Sequence, residues 1–264
     1  MSLTESPPRE REREFMRASI IAATLSLFAL ASPAPSIAQT PPDGAELVRL
    51  MHDRYVAKWY TTLSFTQATL RRTAADTMVH ETWYESMKLP GRLRIDVGAP
   101  DGDPIILFAR DSIFVRRGPR TLPARIGRNP LLLLGFDVYT QPIERTVGAL
   151  REEGFDLSRM HEGSWQGRHV FVVGAAPGDT TTKQFWIDAE RLVFVRMLGP
   201  IAPGRPGLED VRFDRYQPAG AGWIATLVTD TRDGKLVQSE DYSDVRVNAA
   251  VSDSRMDPAR LDQP

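Results

Sequence analysis

The chain has 264 residues, with 33 Lys and Arg against 34 Asp and Glu, so its formal net charge is −1. Apolar residues make up 42% and charged residues 25%, which is typical of a globular protein and excludes an extensively disordered chain. The balanced charge gives no reason to expect a nucleic acid partner. Cysteine is absent, which excludes disulfides, a thiolate nucleophile and cysteine ligands for zinc.

The N-terminus has the pattern of an export signal. Ile20–Ala31 is mostly apolar and follows Arg17, and the small residues Ser36 and Ala38 have the spacing that a signal peptidase reads. This predicts cleavage after Ala38. The apolar run is shorter than the ~20 residues that span a bilayer. Because no cysteine follows it, lipid attachment is excluded, and the predicted product is an exported, periplasmic protein that is not a lipoprotein.

The charged stretch Glu5–Glu14 is unusual before such a signal, and translation from Met16 rather than Met1 would explain it. An uncleaved anchor is the alternative interpretation of the leader. The predicted organisation is a signal peptide over residues 1–38, a linker over 39–44, a domain over 45–250 and a C-terminal tail over 251–264.

The first element after the linker is an amphipathic helix. Leu47, Met51, Tyr55 and Trp59 recur every four residues, and Asp43 suits its N-cap. A helix with one apolar stripe must bury that stripe against another element.

The middle of the chain is strongly apolar and then helical. Leu131–Leu134 are four consecutive leucines, followed by Phe136. A second helix is predicted over 142–154, because Pro142 suits a first turn and Gly154 suits a C-terminal cap.

Most remaining segments are predicted to be strands. Leu93, Ile95 and Val97 alternate with charged residues, which is the period of a strand with one apolar face. There are too few helices for an alternating parallel fold, so the sequence predicts a mainly β (α+β) protein. Its core is a single antiparallel sheet of roughly ten strands, with two or three helices. The predicted turns are Pro90-Gly91, Arg110-Asp111, Asp188–Arg191 and Asp233-Gly234.

Signatures of catalysis are missing from the sequence. His161 and His169 lie eight residues apart, whereas a zinc-binding HExxH motif needs four, and Ser164 lacks the flanking glycines of a nucleophile elbow. Glycine-rich nucleotide motifs are absent as well. We therefore expect no catalytic residue, no metal, no cofactor and no enzymatic activity. The basic cluster is interpreted as a solvated loop and comprises Arg116, Arg117, Arg120, Arg125 and Arg128.

The strands contain more apolar side chains than a sheet with one solvated face requires. Two interpretations stay open. These side chains fill a core between sheet and helices, or the sheet curves and its concave face lines an apolar cavity. Examples are Trp83, Phe114, Phe171, Trp186 and Phe194.

Several motifs together resemble the superfamily of LolA-like and LolB-like lipoprotein carriers, which includes outer membrane lipoprotein-sorting proteins. A signal peptide precedes the helix 45–59, and "WYESMKLPGRLRIDV" resembles a strand pair of that family. "GRHVFVVGAAPGDTTTKQFWIDAERLVFVRM" and "VRFDRYQ" resemble later strands. The likeness extends from Ala45 to about Asn248.

The resemblance implies an unclosed half-barrel, with helices over the concave face of a curved sheet and acyl chains of lipids or lipoproteins bound between them. The expected protein is a non-catalytic periplasmic carrier, expected to be a monomer, that meets inner- or outer-membrane lipoprotein machinery. The alternatives are an interaction module of the envelope-stress regulator type and, less favoured, a secreted hydrolase. The residues expected to line the cavity are Leu93, Ile95, Val97, Ile106, Phe108, Phe114, Leu132, Phe136, Val172 and Trp186.

Overall fold

The computed structural model describes residues 40–202 and 205–261, with Ala202 and Arg205 described by their backbone alone. The predicted signal peptide and its cleavage site lie outside these residues. Helix α1 spans Gly44–Tyr55, and the Asp43 carboxylate caps it by accepting a hydrogen bond from the Glu46 N–H at 2.9 Å. The predicted N-cap is therefore confirmed.

The first half of the sheet is built from seven strands that precede the second helix. Each long strand pairs antiparallel with the next, because tight turns connect them. The strands are β1 Thr62–Arg72, β2 Met78–Lys88, β3 Arg92–Val97, β4 Ile105–Ala109, β5 Ser112–Arg117, β6 Arg120–Thr121 and β7 Arg125–Ile126.

Two helices separate the halves of the sheet. Helix α2 spans Pro130–Gly135 and is followed by a 3-10 turn over Asp137–Tyr139. Helix α3 spans Ile143–Glu152, slightly shorter than the predicted 142–154. The second-half strands are β8 Met160–Trp165, β9 Arg168–Val173, β10 Gln184–Asp188, β11 Val193–Ala202, β12 Arg205–Ala219, β13 Gly222–Arg232 and β14 Lys235–Val247.

All fourteen strands form one antiparallel sheet in the order β6-β5-β4-β3-β2-β1-β14-β13-β12-β11-β10-β9-β8, with β7 also paired to β5. Strands β6 and β8 do not meet, so the sheet is a curved half-barrel rather than a closed one. The predicted fold class is confirmed. More strands are present than the predicted ten, partly because β6 and β7 have two residues each.

The predicted turns are the ones that connect the strands. Arg110 and Asp111 both have positive φ, at 53° and 55°, as do Asp233 and Gly234 at 49° and 75°. These values match the primed turns that suit the twist of a hairpin. At the β10–β11 turn, the Asp188 carboxylate accepts hydrogen bonds from the backbone N–H groups of Glu190 and Arg191. The predicted turn at 188–191 is therefore confirmed.

The helices cover one face of the sheet, which is called the inner face. Gly44 allows α1 to approach strand β9 closely, because a Cβ there would lie 2.5 Å from Cγ1 of Val173. The Trp59 ring stacks on Tyr139 at 3.9 Å between centroids, and the Tyr55 hydroxyl donates to the Arg191 carbonyl at 2.5 Å. These contacts fix α1 and the 3-10 turn to the β10–β11 turn.

The opposite, outer face is covered in part by the C-terminal segment. Two 3-10 turns, Asp253–Met256 and Pro258–Arg260, lie after the last strand. Met256 and Leu261 pack in a small apolar cluster with Ile105 and Leu107 of β4. The outer face of β4 is therefore apolar and fully packed. No helix in the described part of the chain is long and apolar enough to cross a membrane.

Candidate functional site

The pleat of β2–β5 decides which side chains reach the inner face. In register, Glu85 lies opposite Ile95, which lies opposite Ile106, which lies opposite Val115. Neighbouring side chains alternate between faces along each strand, so Leu107 points to the outer face and Phe108 to the inner face. The inner face of β3–β5 is therefore an apolar surface.

This inner apolar surface is only partly covered. Val97, Ile106, Phe108, Ile113 and Val115 are half-buried. On the outer face of β4, by contrast, Ile105 and Leu107 are at most 2% exposed. The helices thus leave apolar surface accessible on the side of the sheet that they cover.

A cavity of about 300 Å³ lies where α2 and α3 meet the β4–β5 hairpin, and is called the α2–α3 pocket. Its apolar wall is formed by Phe108, Leu132, Leu133 and Ala149. This volume is at the lower end of the range for small-molecule sites.

Charged side chains surround the mouth of the α2–α3 pocket, and most of them neutralise each other. Arg128 donates from Nε to Asp111 Oδ1 at 3.0 Å and from Nη1 to Glu152 Oε2 at 2.6 Å. Arg145 lies 3.8 Å from the other Asp111 oxygen. The rim is therefore polar but carries no large excess of either charge.

Asp137 is the buried ionisable group of this pocket. It is 5% exposed, and its Oδ1 accepts a hydrogen bond from the Gly91 N–H at 2.8 Å. Burial raises the pKa of Asp137 to about 7, although the Gly91 N–H and the Arg145 guanidinium act in the opposite direction. The side chain changes charge near neutral pH, inside a pocket with an apolar wall.

A second cavity of about 240 Å³ lies on the other side of the α2 N-terminus, and Asn129 lines both. The Asn129 side chain caps α2 by accepting from the Leu131 and Leu132 N–H groups at 2.9 and 3.3 Å. Leu131, Met197 and Val211 make its apolar lining. The first leucines of the four-leucine run therefore separate two cavities.

Carboxyl side chains form part of the lining of the second cavity. Burial raises the pKa of Asp230 to about 6, and the Glu209 carboxylate adds to this effect. Burial also raises the pKa of Glu240, which accepts hydrogen bonds from Tyr242 Oη at 2.6 Å and Gln238 Nε2 at 2.5 Å. On the same face of the sheet, burial and the neighbouring Glu240 raise the pKa of Glu85 well above its ordinary value.

Seven of the ten predicted lining residues lie on the helix-covered side of the sheet. Phe108 and Leu132 line the α2–α3 pocket, whereas Phe136 is 6% exposed and packs in the main core. Contact with a lipid stays a prediction for all of them. The seven are Leu93, Ile95, Val97, Ile106, Phe108, Leu132 and Phe136.

The other three predicted residues lie on the outer face, so they do not face the pocket. Phe114 lies opposite Leu107 and belongs to the cluster of Met256. Val172 and Trp186 lie opposite each other, and the next residues on their strands, Val173 and Phe185, contact Gly44 of α1 and Phe155. Side chains alternate between the two faces of a strand. A prediction that is wrong by one position along the strand therefore assigns a residue to the wrong face.

Trp186 has a structural role on the outer face. The Arg196 guanidinium lies over its ring at 4.5 Å and over the Trp165 ring at 4.3 Å. Arg196 also makes two hydrogen bonds to the Asp210 carboxylate, at 2.7 and 2.8 Å. The aromatic side chains of the β10–β11 hairpin are thus divided between the faces, since Phe194 is fully buried in the core against Phe213.

Sequence reasoning missed the buried carboxyl groups. Glu81, Trp83, Glu85 and Met87 alternate along β2, so a period-two reading could have put two carboxylates on the same face as two apolar residues. Asp137 gave no comparable signal, because it follows an apolar run in a segment without strand period. Within the described residues, no group of three or more His, Asp or Glu side chains is arranged to hold a metal ion.

Comparison with known proteins identifies the fold. No protein-family model matches the sequence, and no curated protein matches it either. The crystal structures that match include three with TM-scores of 0.50 or more, although their sequences are at most 15% identical to this one. The chain therefore has the LolA-like fold that the sequence motifs predicted.

The matched structures are similar over nearly their whole length. One is named for an outer membrane lipoprotein-sorting protein domain from Vibrio parahaemolyticus. It matches with a TM-score of 0.58 and 11% identity, and the match covers 83% of this chain and 98% of that chain. A DUF1329 family protein from Desulfovibrio piger matches with a TM-score of 0.55 and 15% identity, and the match covers 84% of this chain and 100% of that chain. A LolA superfamily protein from Nitrosomonas europaea matches with a TM-score of 0.50 and 11% identity, and the match covers 80% of this chain and 97% of that chain. At these identities the likeness shows the fold alone.

Proposed function

We propose that this protein is a non-catalytic periplasmic carrier that binds acyl chains of lipids or lipoproteins against the inner face of its sheet. The observation that carries the proposal is the half-buried apolar surface of β3–β5, which leads into the α2–α3 pocket at Phe108. A core would bury these side chains fully, whereas a surface that receives a ligand leaves them accessible.

The energetics of acyl chains suit such a surface. Each buried methylene contributes about 0.8 kcal/mol, so a chain of about sixteen carbons gains on the order of 12 kcal/mol gross when it leaves water. Little of this remains when the chain comes from a membrane, where it is already dry, and association has its own cost. A carrier therefore needs an apolar cavity with few specific bonds, and the wall of Phe108, Leu132 and Leu133 meets that need.

The periplasmic location rests on the predicted signal peptide and on the LolA-like fold. The LolA-like fold and the apolar inner surface support a carrier over the secreted hydrolase. The interaction-module alternative stays a prediction, since no contact in the described residues favours it.

Two phenylalanines on adjacent strands provide a matched test. Phe108 and Phe114 are both half-buried, but Phe108 lines the pocket and Phe114 packs on the outer face. Phe108→Ser should weaken binding of a fluorescent uncharged acyl lipid about tenfold, because part of the apolar wall is lost. Phe114→Ser should leave the affinity unchanged.

The assay is a fluorescence titration, accompanied by native mass spectrometry and lipid extraction of the protein purified from a periplasmic extract. Co-purified acyl lipid and a selective effect of Phe108→Ser support the carrier. A wild-type protein that carries no lipid and takes up no probe, or equal losses in both variants, refutes acyl binding at the inner face.

A further inference from the structure

The edge of the sheet next to the α2–α3 pocket is basic. Residues 117–126, called the basic edge, run from the end of β5 through β6 and β7, both of which hydrogen-bond to β5. Residues 112–128 contain five arginines and neither Asp nor Glu. This local charge contrasts with the net charge of −1 of the whole chain.

The arginines of the basic edge are available to a partner. Arg117, Arg120 and Arg125 are exposed, and none of them pairs with a carboxylate among residues 40–202 and 205–261. Their neighbours differ. Arg116 donates to the Asp101 and Gly102 carbonyls, and Arg128 is paired with Asp111 and Glu152.

The same edge presents aliphatic side chains to solvent. Ile126 is 95% exposed and Leu122 is 43% exposed. Within the described part of the chain, only one other large apolar side chain is classed as exposed, Val56 at 44%. Residues 117–126 therefore combine exposed aliphatic side chains with three arginines that have no carboxylate partner in the described part of the chain.

We propose that the basic edge docks on an anionic lipid surface. Arg117, Arg120 and Arg125 contact the lipid phosphates, while Ile126 and Leu122 enter the boundary between headgroups and acyl chains. Basic residues that flank exposed aliphatics are the pattern by which peripheral proteins bind anionic membranes. An acidic protein partner could also pair with the arginines, and the fluorescence experiment below distinguishes it from a lipid surface.

The position of the basic edge also brings the pocket to the membrane. Gly127 and Arg128, which directly follow Ile126, line the α2–α3 pocket, as does Ser112, which pairs with Ile126 across β5 and β7. Docking does not depend on the proposed acyl-chain binding, and a vesicle assay without any probe tests it separately.

Paired substitutions separate the basic edge from general effects of charge and apolarity. Ile126→Ser is matched by Val56→Ser, and Arg120→Gln/Arg125→Gln is matched by Arg54→Gln/Lys58→Gln. All these side chains are exposed, so the fold is expected to persist, and circular dichroism checks it. The chain from Gln39 onward is used, since it contains every element of the described core.

The measurement is co-sedimentation with vesicles of phosphatidylglycerol and phosphatidylcholine in equal parts, compared with pure phosphatidylcholine. The wild type should bind the anionic vesicles and lose binding with added salt. Each basic-edge variant should bind roughly tenfold more weakly, and each matched control should bind as the wild type does. Equal binding to both vesicle types, no binding, or basic-edge variants that bind normally would overturn the proposal.

A second readout tests insertion directly. Ile126→Cys introduces the one thiol of the chain, since the native sequence has no cysteine. An environment-sensitive fluorophore on that thiol should shift to the blue when anionic vesicles are added. Vesicle binding without a blue shift, or binding to soluble polyglutamate but not to vesicles, would show an electrostatic protein-binding surface instead and would refute membrane docking.

Discussion

One carboxyl group should contribute less to the stability of the fold as the pH rises toward neutrality. Asp137 is 5% exposed in the wall between α2 and α3, and burial raises its pKa from 3.8 to about 7. The folded state therefore holds the proton more tightly than the unfolded state does. The contribution of Asp137 to stability is fully present below about pH 4, where both states are protonated, is lost between about pH 4 and 7, and does not change further above that range.

The size of this effect follows from the two pKa values. The rise from 3.8 to about 7 corresponds to about 4 kcal/mol of lost stability when Asp137 is fully ionised in the folded state. Between pH 5 and pH 8 the loss is about 2.5 kcal/mol. Asp137→Asn removes the ionisation but keeps an oxygen that can accept the hydrogen bond from the Gly91 N–H.

The assay is urea unfolding of the wild type and the Asn variant at pH 5 and pH 8, with free energies from linear extrapolation. The wild type should lose about 2.5 kcal/mol more than the variant between these values, and the variant should be the more stable protein at pH 8. Glu144→Gln removes an exposed carboxylate from the rim of the same pocket and is the matched control, with the slope of the wild type. Parallel pH profiles for wild type and Asp137→Asn would refute the assignment of a buried, proton-holding carboxyl group.

Two further predictions concern the pocket and the outer face. Affinity for the uncharged acyl probe should fall between pH 6 and pH 8 in the wild type but not in Asp137→Asn, because a bound chain removes water from an ionised carboxylate. Fluorescence titrations at both pH values check this, and a wild-type affinity that does not depend on pH contradicts it. Met256→Ala should lower the free energy of unfolding by about 2 to 3 kcal/mol, since the side chain is 2% exposed against Ile105 and Leu107. The exposed Val56→Ala is its control, with a change below about 0.5 kcal/mol in urea unfolding, and equal effects of the two would mean that the tail does not hold the outer face.

The sequence by itself determined the class of fold and most of its turns. Arg110-Asp111 and Asp233-Gly234 occupy the positive-φ positions that hairpins require, and Asp43 caps α1, because these features depend on residues close together in the chain. The repeat of Leu47, Met51 and Tyr55 likewise gave a helix whose stripe is buried. Such features can be predicted from sequence because the hydrogen bonds of a cap, a turn or a helix connect residues that are close together in the chain.

The direction of each strand face was decided only by the tertiary structure. Ile105–Phe108 is apolar at every position, so period two could not say which of Leu107 and Phe108 faces the helices. The answer depends on pairing with distant strands and on the C-terminal segment around Met256, which covers the outer face. The direction of Trp186 was likewise decided by the tertiary structure, in which the Arg196 guanidinium covers its ring on the outer face.

Burial of charge and exposure of apolar groups were also beyond the sequence. Burial raises the pKa of Asp137, and that burial depends on packing against the turn at Gly91, which is 46 residues away in the chain. The five clustered arginines suggested a solvated loop, yet Arg116 and Arg128 are engaged and Ile126 is almost fully exposed between them. Local patterns determined what each segment forms, whereas the meeting of distant segments decided which side chains water can reach, and function depends on that accessibility.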